Sequence, residues 1–280
     1  MNKIYLCSFA SPDLKKTEKN FLEQAKKMNI YNDIKVFHYD DLNFITKNKI
    51  KKITKYESRG FGCWIWKPYI LNVYSKTVPK NSIIHYLDIG YRFNIDGKKR
   101  FLEYLKICEK YDFLVFQYKK SKKKIFKRFN QYNFLENQNT KSKLWKKFNL
   151  NQNSKIMNSP QYLAGCFFFK NNKKSKKFIK KWNYYAKQID LIDNKINRKY
   201  ELTEFISHRN DQSILSLLIK INYFKNNFFS LSCTETEGLK ENKNIRWKYH
   251  NKFPLMAKRI KTRDFFGIIY KILMKLKLIY

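Results

Sequence analysis

The chain alternates short apolar runs with amphipathic segments. Residues 4–9 form a compact apolar run that predicts a strand, and Ser11-Pro12-Asp13 after it is a turn signal. Residues 14–29 then carry apolar side chains at helical spacing, and residues 34–37 predict a second short strand. Strand, helix and strand at this spacing are typical of the start of a parallel α/β sheet.

The same alternation continues to residue 231. Further strands are predicted at 82–87, 113–117, 162–169 and 228–231, and further helices at 68–74, 101–111, 174–188 and 211–221. The Lys-rich segment 119–124 is predicted to be a solvated loop, and no structure is predicted for the Asn- and Lys-rich segment 130–158. Because no repeat or flexible linker divides the chain, we expect one α/β domain over residues 1–257.

Residues 258–280 form a different segment, in which bases alternate with large apolar residues. A helix that begins at Asp264 would have an apolar face flanked by Lys271, Lys275 and Lys277. The members of that face are Phe265, Ile268, Ile269, Ile272 and Leu276. Such a helix can lie in a membrane interface, held by apolar burial and anionic lipids, or it can pack on the domain as a final helix. We favour the membrane interface because the tail has almost no acidic residues.

Composition excludes several classes of protein. Hydrophobic residues make up 43% and aromatic residues 18% of the chain, which is too apolar for a disordered or collagen-like protein. The cysteines are odd in number and widely spaced, without a Cys-x-x-Cys or Cys/His cluster, so neither a disulfide framework nor a zinc site is expected. A secretory signal pattern and an apolar stretch of roughly 20 residues are both missing, which predicts a cytoplasmic protein.

The charge is strongly positive, because 60 Lys and Arg stand against 22 Asp and Glu and give +38. Only nine of the bases are Arg, and Asn, Ile, Phe and Tyr are abundant too, as a coding bias toward A/T-rich codons would produce. Whatever its origin, the field attracts nucleotides, anionic lipids and acidic glycans. A nucleic-acid-binding protein without catalysis is therefore the main alternative function, and a membrane-surface scaffold is a third. Since no helix-turn-helix, RNP-like or zinc-finger pattern occurs, we expect no nucleic-acid partner.

Polar residues follow two of the predicted strands, and open α/β sheets bind ligands at strand ends. Ser8 and Phe9 close the first strand, where they could contact a nucleotide base and ribose or simply form a turn. Asp88 and Gly90 follow the strand at 82–87. A carboxylate at the end of a buried strand can ligate a divalent cation that neutralises a pyrophosphate, or it can cap a turn.

The segment 59–69 (RGFGCWIWKPY) combines two glycines with bases and tryptophans. The glycines would let a ligand approach the backbone closely, while Arg59 and Lys67 bring positive charge. In an extended segment Trp64 and Trp66 would point to opposite sides, one toward a sugar or base pocket and the other toward the core. A plain aromatic core segment is the alternative, but it does not call for two glycines and an interior arginine.

The segment 208–213 (HRNDQS) lies at the predicted start of a helix. Free N–H groups and the helix dipole favour anions or hydroxyl ligands at such a position. A simple N-cap accounts for Asp211, but it does not account for His208, Arg209 and Gln212 beside it. Asp211 and Gln212 are therefore candidates for contacts with sugar hydroxyls or with the reacting carbon.

Four motifs together, RGFGCWIWKPY, YLDIG, QYLAGCFFF and HRNDQSILSLL, resemble a family of bacterial glycosyltransferases. These are GT-A-type nucleotide-sugar transferases of surface-polysaccharide and lipooligosaccharide gene clusters, and the resemblance spans roughly residues 3–258. It implies a GT-A-like, Rossmann-type mixed sheet flanked by helices, with a nucleotide-binding half and an acceptor-binding half; the basic amphipathic helix predicted for the tail follows at the C-terminal end. It also implies transfer of a sugar from a nucleoside diphosphate to a hydroxyl of a growing glycan, such as capsule or lipooligosaccharide.

The resemblance also implies roles for individual residues. Asp88 falls where GT-A enzymes have their Asp-x-Asp motif, although Gly90 replaces the second carboxylate. A divalent cation, Mn²⁺ or Mg²⁺, would then be held by Asp88 and by a late histidine, for which His250 is the candidate. If no metal binds, the bases Arg59, Lys67 and Arg246 must offset the charge of the leaving diphosphate.

On the sugar side, Gly165 resembles the small residue beneath the donor sugar, and Asp211-Gln212 resembles the pair that faces it. Asp211 would act as general base in an inverting enzyme, or it would position or stabilise the sugar in a retaining one. The expected partners are a nucleotide-sugar donor, a glycan or lipid-linked glycan acceptor, and the inner face of the cytoplasmic membrane.

Overall fold

The computed structural model describes residues 2–118, 134–223, 227–237, 239–241, 244–246, 252–258 and 263–279. The strands of its main sheet are β1 (Ile4–Phe9), β2 (Asp33–Phe37), β3 (Ile83–Leu87), β5 (Phe113–Gln117), β6 (Cys166–Lys170) and β7 (Phe229–Ser232). Two small ribbons pair β4 (Arg92–Phe93) with β10 (Leu255–Met256), and β8 (Leu239–Glu241) with β9 (Asn244–Arg246).

The main sheet has the order β2-β1-β3-β6-β5-β7. Every neighbouring pair is parallel except the two pairs that contain β6, which is antiparallel to β3 and to β5. The carboxyl ends of β1 and β3 therefore meet the start of the reversed strand β6 at one edge of the sheet. This edge carries the candidate site.

Twelve helices of the described residues surround the sheet and connect its strands. They are α1 (Lys15–Lys27), α2 (Phe44–Thr54), α3 (Gly60–Cys63), α4 (Trp66–Thr77), α5 (Lys98–Tyr111), α6 (Glu136–Asn139), α7 (Ser142–Lys147), α8 (Lys173–Ala186), α9 (Ile189–Ile192), α10 (Asn210–Leu218), α11 (Thr234–Glu237) and α12 (Phe265–Lys275). Apolar side chains of α4, α8 and α10 form one core with the sheet, and those of α1 and α5 form a second core.

Strand β3 shows how the sheet separates these two cores. All of its residues are buried, and Ile84 and Tyr86 belong to the core with α4, whereas Ile83 and Leu87 belong to the core with α1. Successive side chains of a strand point to opposite faces, so a strand that is covered on both faces reads as a continuous apolar run. This explains why the run at 82–87 is apolar throughout.

The predicted fold class is confirmed: the chain is a mixed α/β sheet flanked by helices, with a C-terminal helix. The predicted strand at 162–169 forms only from Cys166 to Lys170, and the predicted helix at 211–221 is α10, which continues into a π-helical turn at Ile219–Tyr223. Helices α6 and α7 lie in the segment 130–158, for which no structure was predicted. The predicted loop at 119–124 lies outside the described residues.

Helix α12 packs on the domain through a narrow stripe. Asp264 caps it by accepting the N–H of Gly267 at 2.8 Å, and Gly267 and Met274 are buried. A Cβ at Gly267 would lie 2.8 Å from the carbonyl oxygen of Asp13, which shows how closely the helix approaches the turn after β1. The predicted apolar face is exposed, with Phe265 and Leu276 70% and 62% accessible, and Phe266, which was not assigned to that face, is 78% accessible. Within the described ranges, no helix combines the length and the apolar character that crossing a bilayer requires.

Candidate active site

A cavity of about 460 Å³ opens at the edge of the sheet where β1 and β3 end and β6 begins. The reversed direction of β6 brings Gly165, which precedes it, to Asp88, which follows β3. The N–H of Asp88 donates to the carbonyl oxygen of Gly165 at 2.8 Å. The cavity lining includes most of the residues predicted for the site: Phe9, Arg59, Trp66, Lys67, Asp88, Gly90, Gly165, Arg209, Asp211 and Gln212.

Lys67 lies at the centre of this group, in the first turn of α4, and its side chain is only 2% exposed. Its Nζ is 2.8 Å from Oδ2 of Asp211 and 3.2 Å from Oδ1 of Asp88, and it donates to the carbonyl oxygen of Ala164 at 3.1 Å. The contact with Ala164 is a hydrogen bond, and the two contacts with carboxylates are ion pairs. Burial opposes the charged form, but the attraction of Asp211 and Asp88 outweighs it and raises the pKa of Lys67.

Asp211 lies in the first turn of α10 and is almost fully buried. Burial raises the pKa of its carboxyl to about 6, and the charge of Asp88 acts in the same direction, while Lys67 opposes both. A hydrogen bond from α8 fixes its backbone, because Nε1 of Trp182 donates to the Asp211 carbonyl oxygen at 3.2 Å. A carboxyl with a pKa near neutrality, in a cavity and beside a fixed cation, is suited to acid–base chemistry.

Asp88 is fixed at one oxygen and open at the other. The hydroxyl of Tyr86 donates to its Oδ1 at 2.6 Å, and the same oxygen faces Lys67. Its Oδ2 lies beside Gly165, where a Cβ would approach to 3.0 Å. About a third of the Asp88 side chain is exposed to the cavity, so this second oxygen is available to a ligand.

The segment before α4 forms an aromatic wall, although the prediction that it is extended is wrong. Helix α3 contains left-handed residues such as Gly60 at φ +62°, Trp64 directly after it is left-handed too at φ +58°, and Trp66 already starts α4. The Trp64 ring fills the space beside Gly60, where any Cβ would lie 2.3 Å from it. This compact turn stacks Trp66 on Phe9, with ring centroids 3.9 Å apart, and Nε1 of Trp66 donates to the Gly60 carbonyl oxygen.

A buried polar network fixes Gln212. Its Nε2 donates to Oε1 of Gln161 at 2.9 Å, and Nε2 of Gln161 donates to the carboxylate of Glu136 at 2.9 Å. Glu136 is fully buried and also pairs with Lys220 at 2.7 Å. Sequence reasoning missed this network because Glu136 lies in a segment without an interpretable pattern.

Two predicted site residues do not line the cavity. The hydroxyl of Ser8 donates to the carbonyl oxygen of Leu87 at 2.6 Å, so it joins β1 to β3 instead of facing a nucleotide. His208 is buried, with Nε2 at 3.0 Å from the Leu191 carbonyl oxygen and Nδ1 facing the N–H of Lys141. Burial holds the pKa of His208 well below its usual value, so the ring is neutral and serves the structure.

Two further predictions concern side chains that the structure does not describe. His250, the predicted metal ligand, and the side chain of Arg246, the predicted diphosphate partner, lie outside the described residues. The predicted role of each stays a prediction.

The cavity has a wall that sequence reasoning did not assign to it. Residues of the C-terminal segment, Arg263, Tyr270, Lys271 and Met274, line it together with Asp13 after β1. Nε of Arg263 lies 2.8 Å from Oδ2 of Asp13, which fastens the segment at the cavity. No local signal in the sequence pairs residues that are so far apart in the chain.

The described residues do not fit a divalent cation held between the two carboxylates. The ammonium of Lys67 already lies between Asp88 and Asp211, and Gly90 offers no second carboxylate beside Asp88. Among the residues that the structure describes, no group of three or more His, Cys, Asp and Glu side chains could hold a metal ion.

The fold is similar to that of a solved glycosyltransferase. A glycosyltransferase involved in the glycosylation of the major capsid of PBCV-1 aligns with 98% of this chain and 99% of its own at a TM-score of 0.51 and 9% identity. The galactosyltransferase LgtC, in complex with donor and acceptor sugar analogues, aligns with 97% of this chain and 95% of its own, with a TM-score of 0.43 and 9% sequence identity. No family profile matches the sequence, and no curated protein matches it. The first likeness shows a GT-A-type fold.

Proposed function

We propose that this protein is a glycosyltransferase that moves a sugar from a nucleoside-diphosphate donor to a hydroxyl of a growing bacterial surface glycan, such as capsule or lipooligosaccharide. The observation that carries the proposal is the trio of Asp88, Lys67 and Asp211 at the carboxyl edge of the sheet, where open α/β folds bind ligands. The GT-A-type fold and the sequence motifs agree with it.

The cavity suits a nucleotide-sugar in volume and in chemistry. Small-molecule sites occupy about 300–1,000 Å³, and this cavity lies within that range. The stacked rings of Phe9 and Trp66 offer an apolar surface for a base or a sugar. Arg59, Arg209 and Lys271 line the same cavity and would attract the diphosphate.

In this proposal Asp211 is the carboxylate nearest the reacting carbon. If transfer inverts the anomeric centre, the ionised carboxylate takes the proton of the acceptor hydroxyl as that oxygen attacks the carbon and the diphosphate leaves. If transfer retains it, Asp211 stabilises the positive charge that develops on the sugar. Gln212, fixed by Gln161, would contact the sugar hydroxyls, and Gly165 leaves room for the sugar above Asp88.

Thermal unfolding in the presence of UDP-, GDP-, CDP- and dTDP-sugars tests the proposal. A donor at 100 times its dissociation constant should add about 2.7 kcal/mol to the free energy of unfolding. Asp211→Asn should keep this protection but lose sugar transfer, whereas Trp66→Ala should weaken the protection because the stacked ring is removed. Absence of protection by every nucleotide-sugar would contradict the proposal.

We further propose that the protein works at the inner face of the cytoplasmic membrane, held there by α12. The helix leaves its apolar face exposed, Lys271 and Lys275 belong to the same helix, and Lys277 follows its end. Apolar burial and attraction to anionic lipids act together on such a helix. The acceptor is then a lipid-linked glycan presented at the same surface.

Vesicle flotation tests this location. Replacing Phe265 and Phe266 by Ser should strongly reduce flotation with phosphatidylglycerol vesicles. A matched double replacement by Ser of Tyr184 and Tyr200, which are 63% and 60% exposed elsewhere on the surface, should leave flotation unchanged. Equal flotation of the two double variants would contradict a role for α12.

A further inference from the structure

We propose that Lys67 is a built-in cation, whose ammonium takes the position between Asp88 and Asp211 that a divalent ion would need, so that transfer proceeds without a divalent ion. The use of this charge in sugar transfer rests on the proposed function, but the exclusion of the metal does not. The geometry that carries the inference is the approach of two carboxylates and one backbone carbonyl to a single Nζ, all within 3.2 Å.

The position of the ammonium is fixed from several sides. The stem of Lys67 is buried under the sheet edge, and its Nζ also lies 5.1 Å from the centre of the Tyr86 ring. Moving the ammonium away would leave a charge buried without its partners, which is strongly unfavourable. A divalent ion could therefore not displace Lys67 without a large rearrangement of the cavity floor.

A divalent ion beside Lys67 is also disfavoured. Oδ1 of Asp88 is occupied by Lys67 and by the hydroxyl of Tyr86, so only Oδ2 remains for a metal. A metal on Oδ2 would lie close to a fixed positive charge in a partly buried site, where repulsion between charges is weakly screened. Gly90 supplies no second carboxylate to offset that repulsion.

The same ammonium explains why Asp88 and Asp211 can lie next to each other in this cavity. Without a cation, the like charges of these two carboxylates would repel each other. With Lys67 between them, and with further bases in the lining, positive charge slightly exceeds negative charge around the cavity. The bases are Arg59, Lys67, Arg209, Arg263 and Lys271, and the acids are Asp13, Asp88, Asp211 and Glu237. A diphosphate can therefore be attracted without an added metal.

Titration with Mn²⁺ alone, followed by calorimetry and by electron paramagnetic resonance, tests the inference without a donor. The wild type and Asp88→Asn should show the same weak binding, because Asp88 holds no metal while Lys67 is present. Lys67→Met should bind Mn²⁺ at least tenfold more tightly than the wild type, since two unpaired carboxylates then face an empty space. Combining Lys67→Met with Asp88→Asn should remove this gain.

Lys141→Met is the matched control. Lys141 is equally buried and pairs with Asp193 at 2.7 Å, but it does not line the cavity, so its removal should bring no comparable gain in Mn²⁺ affinity. Tight Mn²⁺ binding by the wild type that Asp88→Asn abolishes would overturn the inference, as would a folded Lys67→Met variant without any gain. If Lys67→Met does not fold, the comparison of wild type with Asp88→Asn decides alone.

These outcomes are separable from those of the proposed function. A protein that no nucleotide-sugar protects, but that behaves as expected toward Mn²⁺, would refute the transferase proposal and leave the built-in cation standing. A protein that transfers sugar only with Mn²⁺, and whose Asp88→Asn variant no longer binds the ion, would support the transferase proposal and refute the built-in cation.

Discussion

Replacing Asp211 by Asn should remove a pH-dependent part of the folding stability. In the folded protein burial raises the pKa of this carboxyl from 3.8 to about 6, whereas in the unfolded chain the group returns to its ordinary value. The folded state therefore holds the proton more tightly than the unfolded state. The resulting stability is fully present below pH 3.8 and is lost as the pH rises through about 6.

The size of the effect follows from the shift. Each pKa unit corresponds to about 1.4 kcal/mol, so the shift of Asp211 corresponds to a total loss of about 3 kcal/mol as the pH rises from well below 3.8 to well above 6. The amide that Asp211→Asn introduces has no proton to exchange in this range, and its contribution to stability should be constant. All other titrating groups are common to both proteins, so they cancel in the difference apart from their coupling to Asp211.

Urea unfolding followed by tryptophan fluorescence measures this difference at a series of pH values from 4 to 8. The free energy of unfolding of Asp211→Asn minus that of the wild type should rise by about 2.4 kcal/mol from pH 4 to pH 7 and then level off. In the same pH range sugar transfer by the wild type should rise with a midpoint near 6 if the ionised carboxylate is the base. A difference in stability that is independent of pH would refute the assignment of a raised pKa to Asp211.

Three other substitutions test particular contacts. Gly165→Ala should weaken nucleotide-sugar binding in calorimetry, because its Cβ would lie 3.0 Å from Oδ2 of Asp88 and crowd the open carboxylate oxygen; unchanged affinity would contradict that role. Gly97→Ala should lower the free energy of urea unfolding by about 1–3 kcal/mol, since its Cβ would lie 2.4 Å from the backbone of residues 253–254, and unaltered stability would contradict that close approach. Glu136→Ala should cost about 3–5 kcal/mol in the same assay by leaving its partner lysine buried and unpaired, and a loss below about 1 kcal/mol would contradict the importance of the pair.

Much of the fold was predictable because its signals are local. Strands such as β3 and helices such as α1 can be recognised from the spacing of apolar residues within a short stretch of the chain. The placement of Asp88 and Asp211 at one cavity could be anticipated too, since strand ends and helix starts of an α/β sheet lie along one edge.

Other features depend on contacts that the local pattern does not contain. The left-handed turn of α3 was predicted as extended, because glycine allows many backbone conformations and only the packing of Trp64 over Gly60 selects this one. Ser8 and His208 have the residue types of a site, but their polar atoms are used by the neighbouring backbone. The salt bridges of Lys67 with Asp88 and Asp211 could not be predicted, because they depend on how three segments that are distant in the chain pack together.

The most direct test of the account is a crystal structure of the protein with the nucleoside diphosphate that protects it best against unfolding. We expect the diphosphate in the cavity between Arg59, Lys271 and the edge of the sheet, with the stacked rings of Phe9 and Trp66 beside the nucleotide. We also expect the Lys67 ammonium to remain between Asp88 and Asp211. A nucleotide bound elsewhere on the basic surface, with the cavity unchanged, would contradict the proposal that this cavity is the donor site.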